Sequence, residues 1–119
     1  MTAQQLLQTN KLPLRVKQTV EQLQSGTKVI LFGSRARGDY RAESDWDFLI
    51  LLPQSTSPAL EKAIRDQLYE LELQTETVIS SIIEEEKAWE KLEVTPFFQN
   101  VRDEGIEIAL LEDVDEQLS

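Results

Sequence analysis

Residues 31–52 read LFGSRARGDYRAESDWDFLILL and place a Gly-Ser pair ten residues ahead of two aspartates that are themselves one residue apart. The segment KVILF, which ends at Phe32, is apolar on successive residues, as expected for a short strand covered on both faces. A turn follows at Gly33, and DWDFLILL predicts a second strand. The stretch therefore predicts a strand–turn–strand unit with polar residues concentrated at one end.

The segments on either side of this unit predict two helices. LPLRVKQTVEQLQSG has Pro13 near its start, apolar residues at helical spacing and Gly26 as a stop signal. SPALEKAIRDQLYELEL has Ser57 as a capping residue, Pro58 in the first turn and leucines and isoleucines along one side. Both segments are typical of amphipathic helices that pack on a sheet.

The C-terminal part of the chain predicts a third strand, two further helices and an edge strand. TETVISSII is rich in β-branched residues, as strands are. EEEKAWEKLE is expected to be helical, with Trp89 and Leu92 turned inward and the acids at 84–86 in a solvated first turn. TPFFQNVRDEG has the cap, proline and terminal glycine of a short helix, and IEIALL alternates like an edge strand before an acidic tail. This order predicts an α/β (α+β) fold, a small mixed sheet with helices packed against it, in a single domain over residues 1–119.

Composition limits the chemistry that the chain can perform. With no cysteine and no histidine among 119 residues, any metal must be held by oxygen ligands, which favours magnesium, manganese or calcium. The net charge of −10 argues against direct binding of a long nucleic acid and favours a nucleotide with its magnesium, or a basic protein partner. The chain shows neither an apolar run of membrane-spanning length nor the order of a secretory signal, so we expect a cytoplasmic protein without a membrane partner.

The Gly-Ser pair is a candidate phosphate site. Glycine at the end of a buried strand permits a sharp turn and close approach of a ligand to the backbone. Ser34 would then begin a short helical turn, whose free N–H groups attract phosphate oxygens. A Gly-Ser pair also occurs in ordinary turns, so this pair alone does not identify a function.

The two aspartates are candidate metal ligands. Residues i and i+2 of a strand share a face, so Asp45 and Asp47 are expected to project side by side, opposite to Trp46 and Phe48. Two adjacent carboxylates on an apolar strand repel each other and lose solvation, and a divalent cation relieves both costs. Alternatively, both aspartates mark a solvated strand entrance, where exposed acids are common.

Together, Gly-Ser, ten intervening residues and Asp-x-Asp resemble the signature of the nucleotidyltransferase superfamily typified by DNA polymerase beta. The small size, the RARG segment and Ser44 resemble its minimal nucleotidyltransferase (MNT) branch. The resemblance covers nearly the whole chain loosely, and residues 33–52 carry it. It implies transfer of a nucleoside monophosphate from a nucleoside triphosphate, such as ATP, to a hydroxyl. It also implies two magnesium ions as the cofactor.

The resemblance also implies roles for individual residues. Gly33 and Ser34 would hold the triphosphate, and Asp45 with Asp47 would be the catalytic metal ligands. Among the remaining polar residues, Arg35 and Arg37 lie close to the phosphate site and could neutralise the leaving pyrophosphate. Arg37 could instead form a structural pair with Asp39 or Glu43.

A third carboxylate on the next strand is common in the superfamily, and the matching segment here is TETVISSII. Its only acid, Glu76, lies at its beginning, while Ser80 and Ser81 occupy the centre. Glu76 could reach the metal as a third ligand, or the site could use two aspartates, which we favour.

Stand-alone MNT proteins of this size resemble the antitoxins of HEPN/MNT toxin–antitoxin pairs. The resemblance implies that the protein attaches AMP to a tyrosine of a HEPN ribonuclease toxin, and an acidic surface suits a basic partner of this kind. Two alternatives remain: an antitoxin that neutralises its partner by binding alone, and a transferase acting on a small-molecule hydroxyl.

Overall fold

The computed structural model describes residues 12–110. Its elements, in chain order, are α1 (Leu12–Leu23), β1 (Lys28–Phe32), α2 (Ser34–Arg37), β2 (Trp46–Leu52), α3 (Pro58–Thr75), β3 (Ile79–Glu85), α4 (Glu86–Glu90), α5 (Pro96–Glu104) and β4 (Ile106–Glu107). This is the predicted order, with the short helical turn expected at Ser34 present as α2. The acidic tail and Leu111, the last residue of the predicted edge strand, lie outside the described residues.

The strands form one mixed sheet in the order β3-β2-β1-β4. β1 pairs antiparallel with β2 and with β4, whereas β2 and β3 are parallel. A parallel pair needs a long crossover, and α3 provides it. The prediction of a small mixed sheet covered by helices is confirmed.

The central strand β2 explains why both faces of the sheet are covered. Alternate residues of β2 contribute to two separate apolar clusters. On one face Trp46, Phe48, Ile50 and Leu52 pack with buried residues of α1 and α3. On the other face Leu49 and Leu51 pack with Trp89 of α4 and Val101 of α5.

Local capping follows the sequence closely. The side chain of Ser57 accepts a hydrogen bond from the backbone N–H of Leu60, and that of Thr95 accepts one from the N–H of Phe98. Each cap satisfies one of the unpaired N–H groups at a helix start, and each is followed by proline in the first turn.

Two local expectations were wrong, and a third was right with shorter bounds. The acids 84 and 85 belong to β3 and only Glu86 begins a helix, because the β3 ladder continues to the pair Leu52–Glu85. Leu92 does not turn inward but is 38% exposed, because α4 ends at Glu90 before reaching it. The predicted edge strand is present with shorter bounds: β4 covers Ile106–Glu107, and beyond it the backbone N–H of Ile108 donates one further hydrogen bond to the carbonyl of Val29 in β1. Within residues 12–110, no helix combines the length and apolar character needed to cross a membrane.

Candidate active site

The sheet topology brings the two halves of the Gly-Ser…Asp-x-Asp pattern to one end of the sheet. Gly33 follows the last residue of β1, and Asp45 precedes the first residue of β2. Because these strands are antiparallel, Phe32 pairs with Asp47. The glycine, the serine after it and the two aspartates therefore share the same end of the sheet.

Gly33 lies directly against the carboxylate of Asp47. A Cβ atom added at Gly33 would collide with Oδ2 of Asp47 and lie 3.2 Å from its Cγ. The backbone of Gly33 has φ 75° and ψ −158°, a region that is essentially restricted to glycine. Its carbonyl accepts hydrogen bonds from the N–H groups of Ala36 and Arg37, both at 3.0 Å, which form the turn of α2. Gly33 is therefore required by backbone conformation and by the space that Asp47 occupies.

Asp45 and Asp47 form a pair of carboxylates without neutralising contacts. Asp47 is half-buried, whereas Asp45 is exposed because it precedes the strand, so the expectation of two buried acids applies only to Asp47. Within residues 12–110, neither side chain has a hydrogen bond or an ion pair. Burial raises the pKa of Asp47, and the negative charge of Asp45 raises it further, while Arg37 acts in the opposite direction. Mutual repulsion and partial burial thus disfavour the charged form of Asp47, a combination that is common among functional carboxylates.

Ser34 and Arg37 belong to α2, beside this pair. Ser34 is half-buried, and its hydroxyl has no hydrogen-bond partner within the described part of the chain. Arg37 pairs with Asp39 through Nε at 3.4 Å, as one sequence alternative expected, and with Glu104 of α5 through Nη1 at 3.3 Å. These carboxylates, Asp39 foremost, raise the pKa of Arg37. The positive charge of Arg37 thus lies near Asp47 but is already paired with Asp39 and Glu104.

Arg35 takes a different position from the one expected. Its side chain is buried, hydrogen-bonded to backbone carbonyls of the α2–β2 loop and enclosed by aromatic rings. These contacts favour a structural role in place of the phosphate-binding role expected from the sequence. Sequence reasoning missed this role because it requires the loop to fold back over the side chain.

Glu76 is not brought together with the two aspartates. It is the C-terminal cap of α3, with a left-handed backbone at φ 54°, and it is exposed. Among residues 12–110, no group of three or more acids, histidines or cysteines is arranged to hold a metal ion. The β3 residue that pairs with Asp47 is Ser80, which is exposed. The expectation of Glu76 as a third ligand is therefore not supported, and the two-aspartate alternative fits the structure better.

The residues present fit a hard divalent cation. The donors are carboxylate oxygens, which Mg²⁺ prefers, and no group in the described part of the chain forms an ion pair with either carboxylate. A cation between Asp45 and Asp47 would remove the repulsion that raises the pKa of Asp47. These two residues would hold it.

The chain is similar to known proteins over most of its length. Residues 14–107 match the family described as the nucleotidyltransferase domain. Two proteins of Methanocaldococcus jannaschii, whose names describe them as candidate protein adenylyltransferases, are 38% identical over 78 residues and 37% identical over 81 residues. The first alignment covers 66% of this chain and 73% of the relative, and the second covers 68% and 77%.

A solved structure shares the fold. It is a chain in a crystal structure of a toxin–antitoxin complex with AMP-PNP, with a TM-score of 0.57. The match covers 89% of this chain and 79% of that chain at 15% sequence identity. At this identity the likeness concerns the fold.

The contact between Gly33 and Asp47 can be tested with alanine. Gly38 provides the matched control, because it also has a positive φ, 90°, but open space around a Cβ. We expect Gly38→Ala to cost about 1–2 kcal/mol of unfolding free energy from backbone strain alone. Gly33→Ala should cost more and should displace the Asp47 carboxylate. Urea denaturation of both variants measures this difference, and equal losses would contradict the proposed packing.

The raised pKa of Asp47 predicts a pH-dependent effect of Asp47→Asn in the metal-free protein. A carboxyl whose pKa is higher in the folded state binds its proton more tightly there than in the unfolded state. Wild-type stability should therefore fall as pH rises from the ordinary aspartate pKa through the raised one. Asp47→Asn should be more stable than wild type at pH 7 and equal to it below the ordinary pKa.

Thermal denaturation with EDTA at several pH values measures this effect. Asp66→Asn, on the exposed side of α3, is the control and should show no such rise at pH 7. A destabilised Asp47→Asn at neutral pH would indicate that the carboxylate is stabilised by contacts of its own.

Proposed function

Because this chain belongs to the nucleotidyltransferase domain family, we propose that it transfers AMP from ATP to a hydroxyl group of a partner protein. One observation carries the proposal: Gly33 of the candidate phosphate turn lies against the carboxylate of Asp47, which has no hydrogen bond or ion pair within residues 12–110. A phosphate site and a metal site in contact with each other are what transfer of a phosphorylated group requires.

In the proposed reaction, the acceptor oxygen forms a bond to the α-phosphorus of ATP. The bond from that phosphorus to the oxygen bridging the β-phosphate breaks, pyrophosphate leaves, and the hydroxyl proton is released to solvent. Gly33 and Ser34 hold the triphosphate through backbone N–H groups and the Ser34 hydroxyl, and Arg37 faces it as a cation. Asp45 and Asp47 would hold Mg²⁺, which when bound would supply positive charge to the phosphate oxygens.

Among residues 12–110, no third carboxylate is grouped with Asp45 and Asp47 to take the proton from the acceptor. Ser80 occupies the position beside Asp47 on β3, and Glu76 lies outside the pair. We therefore assign Asp45 and Asp47 to binding of the metal and the phosphates and not to deprotonation of the acceptor. An acceptor of moderate acidity, such as the phenol of tyrosine with a pKa of about 10, suits such a site better than an aliphatic alcohol.

The proposed acceptor is a tyrosine of a cognate HEPN ribonuclease toxin, with this chain as the antitoxin. Three observations support this assignment. The curated relatives have names that describe protein adenylyltransferases, and the fold matches a chain from a toxin–antitoxin complex. The net charge of −10 suits a partner whose RNA-binding surface is basic.

The second candidate is an antitoxin that neutralises its partner by binding alone. The same acidic surface would serve it, and no catalytic residue would be needed. The unpaired carboxylates speak against it, because a binding protein gains nothing from a pair that raises the pKa of Asp47.

Removal of either aspartate should separate the two candidates. We expect Asp45→Asn and Asp47→Asn to abolish AMP transfer, because each removes a ligand whose charge acts in the transition state. Each variant is co-expressed with the protein encoded by the adjacent gene, and the intact mass of that partner is measured. Wild type should raise the partner mass by AMP units.

Glu43→Gln is the matched control, because it removes an exposed acid from the same loop. It should retain transfer. An unmodified partner that wild type and both aspartate variants neutralise equally would overturn the enzymatic proposal and support binding alone.

Ser34→Ala should have a smaller effect than the aspartate variants. The hydroxyl contributes one neutral hydrogen bond to phosphate, typically about 0.5–1.5 kcal/mol, or roughly a two- to tenfold loss of transfer rate. Steady-state transfer from labelled ATP measures it, with Ser55→Ala in an exposed loop as control. An unchanged rate in Ser34→Ala would limit Ser34 to a turn residue.

A further inference from the structure

Arg35 is a buried cation that contacts the loop between α2 and β2 and the first residue of β2. It is 8% exposed, although it lies on a four-residue helix at the surface end of the sheet. Nη2 donates hydrogen bonds to the carbonyls of Ala42 at 3.0 Å and Ser44 at 3.1 Å, and Nε donates to Ser44 at 3.3 Å. The guanidinium thus ties the end of the loop back to α2.

Two aromatic rings enclose the same guanidinium. Its central carbon lies 4.4 Å from the ring centroid of Tyr40 and 4.4 Å from that of Trp46. Tyr40 is 39% exposed, whereas Trp46 is only 3% exposed and belongs to the core cluster of α1 and α3. The planar cation therefore connects the exposed side of the loop to the buried core.

These contacts hold both neighbours of Asp45. On its N-terminal side, the carbonyl of Ser44 accepts two of the three hydrogen bonds from Arg35. On its C-terminal side, the ring of Trp46 stacks on the guanidinium, and the Trp46 N–H bonds to the carbonyl of Val78. Asp45 itself is exposed and has no partner within residues 12–110 that could orient it.

Only arginine can make this set of contacts. Its planar fork offers several donors in fixed directions and stacks on aromatic faces, whereas lysine is a point charge with a flexible stem. The carbonyl oxygens and the two rings compensate the buried charge around Nε and Nη2, which are therefore committed to the loop, whereas Nη1 makes no hydrogen bond within residues 12–110.

We propose that Arg35 is a positioning residue that fixes the backbone on both sides of Asp45 and so orients its carboxylate beside Asp47 for metal binding. The inference rests on the proposed function for the role of the metal. It assigns Arg35 to the metal side of the site through Nε and Nη2, whereas the sequence predicted a contact with phosphate.

The test compares Arg35→Met, Arg35→Lys and Arg41→Met in the full-length protein. Methionine keeps an unbranched side chain between the rings and removes every hydrogen bond. Arg41→Met is the matched control, because Arg41 is an exposed arginine of the same loop whose side chain has no hydrogen bond, ion pair or ring contact within residues 12–110. ATP binding is titrated over a range of Mn²⁺ concentrations, and backbone hydrogen exchange of residues 42–46 is measured without metal.

A positioning role predicts that Arg35→Met raises the Mn²⁺ concentration for half-maximal ATP binding by about 10- to 100-fold, as loss of a supporting contact to a metal ligand typically does. ATP affinity at saturating Mn²⁺ should be retained. Arg35→Lys should give an intermediate shift and Arg41→Met none. Hydrogen exchange in residues 42–46 should accelerate in Arg35→Met but not in Arg41→Met.

Two results would overturn the inference. A direct phosphate ligand would lower ATP affinity at every Mn²⁺ concentration, saturation included. A purely structural role would lower thermal stability without moving the Mn²⁺ dependence. If exchange accelerates as expected but wild type binds ATP without any dependence on Mn²⁺, the proposed function fails while the hold of Arg35 on the loop stands.

Discussion

The antiparallel pairing of β1 with β2 is the constraint on which the site depends. The pair Phe32–Asp47 places the residue after Phe32 beside the Asp47 carboxylate, and only glycine leaves room for it. A one-residue slip of this pairing would turn Asp47 toward the opposite face of the sheet. The site therefore requires a strand register that does not slip.

The core supplies that register. Phe48 through Leu52 are buried, and alternate residues insert into apolar clusters on opposite faces. A slip would exchange these two sets, and each large apolar side chain contributes about 1.5–3 kcal/mol through burial. The apolar residues of β2 thus stabilise the strand that carries Asp47. Asp47 itself adds no stability, because its burial and the repulsion from Asp45 disfavour its charged form.

The fold was predictable from local signals, and the composition of the site only in part. Helix caps such as Ser57 and the alternation of β2 depend on neighbours in sequence, so the element order and the mixed sheet followed from them.

The pairing of Arg37 with Glu104 joins residues 67 positions apart, and no local pattern contains it. The enclosed position of Arg35 could not be predicted for a related reason: its hydrogen-bond partners are backbone carbonyls, which every residue possesses and no sequence motif marks. Glu76 was considered because of its residue type, but as the cap of α3 it stays outside the aspartate pair.

The charge balance of the site shows how an acidic protein can accept a more acidic ligand. Of the two arginines in α2, Arg35 is enclosed by carbonyls and rings, and Arg37 is shared between Asp39 and Glu104. Neither arginine offsets the two carboxylates through a direct ion pair. Under the proposed function, a triphosphate placed against this pair in a protein of net charge −10 would be repelled by both carboxylates. A divalent cation held there would attract the carboxylates and the phosphate oxygens at once. Nucleotide binding would then depend on the metal, and the orientation of Asp45, which the proposal assigns to Arg35, would affect nucleotide binding.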